Sequence, residues 1–321
     1  MEKLKVTILP FAVSLLIVLI AMPLIIRYFR EKQLGQMTRE EGPSWHEDKT
    51  GTPTMGGVAF ILSSLLTIIL AVIFKLPNIN YSMILVMFFI AYGLIGFIDD
   101  YIKLIMKRNL GLTSKQKFIA QLIIGMIFYL VLLTTGFNNQ LNLPFFGSVH
   151  ISYFYGLFAI FWLVGFSNAT NLTDGIDGLL TSTSIIAYGG YAYIAYLQEE
   201  MGVMLFAFSV IGGLIGFLFF NLKPAQIFMG DVGSLALGAG LAIISILLNI
   251  EWTLLLIGII FVVETASVIL QVAYFKQTGK RIFKMSPIHH HFEMEGWTES
   301  KIVIVFSAIS LIATCIALYF I

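Results

Sequence analysis

Six aspartates occur in the 321 residues, at positions 48, 99, 100, 174, 177 and 231. Asp99 and Asp100 close an apolar run after Ile-Gly-Phe-Ile. Adjacent helical residues point about 100° apart, so the two carboxylates face one atom only if the helix end is distorted. A solvated helix terminus is the plain reading. Against it, carboxylates at a helix C-terminus oppose the macrodipole, and charge close to hydrocarbon is costly and usually functional. A second segment, Asn168–Gly178, reads NATNLTDGIDG. Asn171, Asp174 and Asp177 recur every three residues, which on a helical turn aligns two or three of them on one face. In a loop, Gly175 and its neighbours would let the backbone approach a ligand. A polar capping segment would look similar, but two aspartates without a basic residue suit a metal, a ligand amine or hydroxyls. In the third segment, Asn221–Ser234, Asp231 lies between Gly230 and Gly233 ahead of a new apolar run. Backbone N–H groups exposed there favour anions. Capping by Ser234 or Asp231 would explain one polar residue and leave the glycines unexplained.

Ser286–Glu293 reads SPIHHHFE, with His289, His290 and His291 in a row. Zinc usually takes helical histidines at i, i+4, and no cysteine is at hand to complete a site. Three consecutive histidines do not present one metal face. They could donate to a pyrophosphate from several directions, or they could line a solvated loop. Lys49–Gly57, KTGTPTMGG, is a Gly-rich turn with a lysine, which suits a phosphate or nucleotide contact although it lacks the Walker order. Glu264 lies inside an apolar run, where a carboxylate is either functional or part of an interhelical hydrogen bond. Cys315, the one cysteine, excludes an intrachain disulfide and reads as a small buried hydrophobe.

These residues need elements to hold them, and the composition says which. The chain is 58% hydrophobic and 12% charged, with mean hydropathy +0.92. Soluble domains carry about 25% charged residues, so a soluble, disordered or disulfide-scaffold protein is excluded. Ten apolar runs are long enough, or nearly so, to cross a bilayer as helices: 5–27, 55–74, 81–101, 117–137, 151–168, 179–197, 203–222, 234–250, 252–273 and 302–321. The first is too long for a signal peptide. Segment 138–150 reads as a polar-capped turn or small hairpin. The expected fold is all-α, polytopic, and a single domain over 1–321. Of the 19 basic residues, only Lys3, Lys5 and Lys75 fall on one side of this arrangement. The positive-inside rule then puts both termini outside and the other loops in the cytoplasm. All six aspartates share that cytoplasmic side. A scaffold has no reason for such crowding, whereas an enzyme or transporter mouth handling a cation or phosphate does. A transporter would instead show charges and broken helices at the bilayer midplane and repeat symmetry between halves, whereas here only Glu264 is deep and no repeat is visible. No basic stripe with interleaved aromatics points to nucleic acid.

KTGTPTMGG, NATNLTDGIDG and PIHHHFE together resemble the signatures of the phospho-N-acetylmuramoyl-pentapeptide transferase family. Asp99-Asp100 and Phe228-Met-Gly-Asp231 resemble the wider polyprenyl-phosphate sugar-1-phosphate transferases. The resemblance covers the whole chain. It implies transfer of phospho-N-acetylmuramoyl-pentapeptide from UDP to undecaprenyl phosphate, giving lipid I and UMP, in the bacterial cytoplasmic membrane. Mg²⁺ is the implied cofactor, with Asp231, Asp99 and Asp100 as ligands. Asp99 is expected to deprotonate or position the lipid phosphate, and Asp100 to support the metal or that phosphate. His289, a candidate catalytic residue, is expected with His290 and His291 at the pyrophosphate or ribose. Lys49, Asn171, Asp174, Gly175, Asp177, Asn221 and Phe228 are the implied substrate-binding residues, with Phe228 stacking on uracil. Lys103 and Lys115 are weaker candidates for phosphate contact. Membrane lipids and a second copy of the chain, as a homodimer, are the other implied partners. A sister transferase using UDP-N-acetylglucosamine is the alternative. Direct attack and a route through a phospho-aspartate both fit.

Overall fold

The computed structural model describes all residues except 1, 33–34, 36–50, 77, 107–110, 138, 144–146 and 152–153. Helices α1 (Glu2–Glu31), α2 (Gly57–Ile73), α3 (Asn80–Ile105) and α4 (Ser114–Thr134) come first. A hairpin of β1 (Gln140–Leu143) and β2 (Gly147–His150) follows, paired antiparallel with Gln140 opposite His150. Then come α5 (Phe154–Thr173), α6 (Leu179–Leu197), α7 (Met201–Asn221), α8 (Gly230–Leu247), α9 (Leu254–Ile257), α10 (Ile259–Thr278), α11 (Ile288–Met294) and α12 (Glu299–Tyr319). Each of the ten expected apolar runs coincides with a helix, the ninth being broken at Gly258 into α9 and α10.

Seven of the described helices are long and apolar enough to cross a membrane. Exposed Ile8, Leu16, Ile20 and Leu24 on α1, and Ile304, Leu311 and Ile312 on α12, give these helices the apolar outer faces that hydrocarbon requires. The architecture is all-α and polytopic. Helix α5 is long enough, but its polar end, Ser167 to Thr173, lowers its hydropathy. Those polar groups are answered inside the bundle: Ser167 Oγ donates to the Leu235 carbonyl (3.1 Å) and Thr170 Oγ1 to that of Ser234 (2.8 Å).

Helix α8 is the axis of the bundle. Val232–Leu247 is buried without a break, against α2, α3 and α5. Its run of Gly233, Ser234, Ala236, Gly238, Ala239, Gly240 and Ala242 lets neighbours approach closely, as packing within a membrane demands. At Gly96 of α3 an added Cβ would overlap the backbone carbonyl of Asp231, and at Gly57 one would overlap Gly233. Gly96 therefore sets the distance between α3 and α8, the helices that carry the aspartates, and Gly57 that between α2 and α8.

Two expectations are corrected here. Helix α3 does not end at Asp100 but runs on to Ile105, and Lys103 one turn later pairs with Asp99 along it. Cys315 is exposed rather than buried: it stands on the outer face of α12 beside Leu311 and Ile312.

Candidate active site

The carboxylates of Asp99, Asp100 and Asp231 meet at one end of the bundle, each offering an oxygen within 4.8 Å of the others. No distortion of α3 is needed, because the pair straddles the start of α8. Asp100 Oδ2 accepts the Val232 N–H (3.2 Å), capping α8 from another helix where its free N–H groups and dipole favour an anion. Asp99 faces the other way, and its Oδ1 accepts the Leu112 N–H (2.6 Å) ahead of α4. Asp231, in the first turn of α8, lies between them and accepts from Asn171 Nδ2 (2.9 Å). Gly230 takes φ +78°, a conformation open to glycine, and a Cβ there would press on Asp100 Oδ2. Gly230 and Gly233 thus serve backbone geometry and helix approach, and neither Asp231 nor Ser234 is the cap.

Two ammonium groups offset the three carboxylates. Lys103 Nζ lies 2.5 Å from Asp99 and 3.5 Å from Asp231, and Lys117 Nζ lies 2.8 Å from Asp99 and 2.5 Å from Asp231. Asp99 is fully buried, so its charge needs such partners. Lys117 is the member that sequence reasoning missed. Lys115, which it named, is exposed. The three carboxylates suit a hard divalent cation of the Mg²⁺ kind, which takes a few carboxylates together with phosphate oxygens.

The remaining candidates fall into two groups. Asp174 and Gly175 form the turn after α5. A Cβ on Gly175 would overlap Nε2 of His289, so the bare glycine is what lets the ring lie against the turn. His289 is itself buried. Its Nδ1 lies 3.1 Å from Glu264 Oε1, and its N–H reaches Glu264 Oε2 at 3.5 Å. Glu264, fully buried in α10, is the carboxylate packed against the histidine. The His289 and His290 rings lie against each other with centroids 4.1 Å apart, His290 Nδ1 meets Glu293 Oε2 (2.6 Å), and His291 Nδ1 accepts the Lys284 N–H (3.2 Å).

Asn221, Asp177 and Phe228 belong to the α7–α8 loop and its supports. Asn221 Oδ1 accepts from Thr181 (2.7 Å) and its Nδ2 donates to the Ile227 carbonyl (3.1 Å). Asp177 Oδ2 accepts the Ala225 N–H (3.0 Å). The Phe228 N–H donates to the Pro53 carbonyl (2.8 Å), and the Phe228 carbonyl accepts the Gly56 N–H (2.9 Å). The Gly-rich segment is thus stitched to the loop that leads to Asp231. Lys49 lies outside the described residues.

A family profile described as Glycosyl transferase family 4 matches residues 82–249. A second, described as Phospho-N-acetylmuramoyl-pentapeptide-transferase signature 1, matches residues 49–61. The chain is similar to the phospho-N-acetylmuramoyl-pentapeptide-transferase of Enterococcus faecalis, 56% identical over 310 residues that cover 97% of each chain. The similarity to the enzyme so named from Lactobacillus gasseri is 54% over 97% of this chain and 98% of the relative. For that of Listeria monocytogenes it is 54% over 96% and 95%.

Proposed function

The chain belongs to the phospho-N-acetylmuramoyl-pentapeptide transferase family, and on that footing we propose the reaction it runs: phospho-N-acetylmuramoyl-pentapeptide passes from its UDP carrier to undecaprenyl phosphate, leaving lipid I and releasing UMP. The observation that carries this reading is the convergence of Asp99, Asp100 and Asp231 with Lys103 and Lys117 at one end of a membrane bundle. Transfer between two anionic phosphates needs charge neutralisation and alignment more than covalent help.

Asp231 would hold Mg²⁺, with Asp99 and Asp100 beside it. The ion, when bound, supplies charge neutralisation and a template for the transferring phosphoryl group. The chain's own residues do the rest. Lys103 and Lys117 offer positive charge at the mouth of the cluster, where a lipid phosphate and a pyrophosphate must come together. Asp99 has its oxygens committed to both ammonium groups and to the Leu112 N–H, so its part is to aim the lysines at the attacking phosphate. Direct attack is therefore favoured over a phospho-aspartate. Asp100 supports the metal side while capping α8. His289 backs the Asp174–Gly175 turn, and His290 and His291 stand beside it toward the pyrophosphate or ribose. Asn171, Asn221, Asp177, Lys49 and Phe228 complete the nucleoside side, with Phe228 against uracil.

Ten crossings, both termini outside, a cytoplasmic active site in the bacterial cytoplasmic membrane, a homodimer in contact with membrane lipids, and one functional domain over 1–321 complete the proposal. The crossings and their orientation rest on the charge asymmetry of the loops, and the homodimer on the family resemblance.

UMP release by the purified protein tests it. Release is expected only with UDP-N-acetylmuramoyl-pentapeptide, undecaprenyl phosphate and Mg²⁺ together, and is lost in Asp231→Ala and Asp99→Ala. Release from UDP-N-acetylglucosamine instead would reassign the chain to the sister transferases. Exchange of labelled UMP into the donor without lipid would overturn direct attack.

A further inference from the structure

Glu299 opens α12 and falls in none of the motifs above, yet it is only 5% exposed. A buried carboxylate is costly unless its oxygens are answered. Oε1 accepts from Lys223 Nζ (2.8 Å) and Oε2 from the Asp177 N–H (3.3 Å). Asp177 in turn accepts the Ala225 N–H. One carboxylate on α12 therefore ties the turn between α5 and α6 to the loop between α7 and α8 while belonging to neither. The turn carries Asp174 and Gly175; the loop starts at Asn221 and carries Phe228. Lys223 is half-exposed, and an ion pair so open to water contributes little by itself. The buried bond to Asp177 is the firmer half.

We propose that Glu299 is a positioning residue for the UDP-bearing substrate, holding the α7–α8 loop against the α5–α6 turn so that the nucleotide side is formed before binding. The proposal rests on the reading of that loop as the nucleoside pocket. A loop ordered in advance spares the donor the cost of ordering it. The lysines and Asp99, on α3 and α4, bond instead to one another, to Asp231 and to the Leu112 N–H.

The test uses full-length protein in detergent, with Glu299→Ala, Glu299→Gln and Lys223→Met beside the wild type. In Glu299→Ala the donor KM should rise about tenfold, with acceptor KM and kcat held within about twofold. Glu299→Gln still accepts from the Asp177 N–H and should recover most of the loss; Lys223→Met should fall between. Hydrogen exchange in 174–178 and 222–229 should quicken in Glu299→Ala. An unchanged donor KM, or equal changes in both KM values and kcat with a lowered thermal midpoint, would overturn the positioning role. If Glu299→Ala does not fold, the other two variants carry the same comparison. A wild type that releases no UMP would sink the functional reading alone; exchange then decides the clamp, unchanged rates overturning it.

Discussion

Two positions along a helix stand about 200° apart around its axis. Lys115 and Lys117 differ by that step: one is exposed, and the other makes close ion pairs with Asp99 and Asp231. Lys117→Met should cut kcat for UMP release by about a hundredfold, since it removes a charge aimed at the reacting phosphates, while Lys115→Met should stay near the wild type. The aspartates and Asn171 were legible because such residues stand out at the ends of apolar runs. Lys117 was not, because it sits among basic residues that all obey the same membrane bias. Its phase could have found it: Lys117, Gln121, Gly125, Phe128 and Leu132 fall on one stripe, and the last four are buried. Thr113 and Gln116 form a capping box that fixes where that phase begins.

At the scale of elements, the apolar runs were read nearly as they fold, because length and hydropathy decide a spanning helix. What composition does not encode is where helices touch. The expectation that Asp99 and Asp100 cannot converge without distortion treated α3 alone; α8, wedged against it, supplies the third carboxylate. Gly96 is the residue that permits this approach. Gly96→Ala should push α3 from the Asp231 backbone at a cost of about 1–3 kcal/mol, lowering the thermal midpoint in detergent and the rate of UMP release together. The histidine run also needed its neighbours. It forms a short helix, α11, in which the His289 and His290 rings pack together and the three residues meet Glu264, Glu293 and the Lys284 backbone, partners 3 to 25 residues away.

Over the whole molecule, the two ends of the bundle treat buried charge differently. At the end away from the aspartates, Glu251 sits fully buried in the turn before α9, accepting a hydrogen bond from Tyr155. Burial lifts its carboxyl from 4.5 to about 7, the tyrosine bond opposing only in part. A carboxyl whose pKa is raised in the folded state carries no charge-burial penalty while it is protonated in both states, and it costs stability progressively once the unfolded chain ionises ahead of the folded one. Stability is therefore full below about 4.5 and is lost as pH rises toward 7. Thermal stability in detergent should fall across that window by up to about 3 kcal/mol, and Glu251→Gln should flatten the profile.

Helix α3 continues six residues past Asp99, about 9 Å of rise, before it ends. Asp99 and Asp100 are therefore set into the side of the helix, short of its tip, and on the proposed reaction this is where an acceptor held in the bilayer would meet them. An acceptor that meets them there stays in the sheet through which it diffuses, and only the nucleotide-borne partner arrives from bulk solution. On that proposal the acceptor enters the rate as a fraction of the surface and not as a molarity. Inert amphiphile spread through that surface slows the reaction even when no concentration in the surrounding volume has changed.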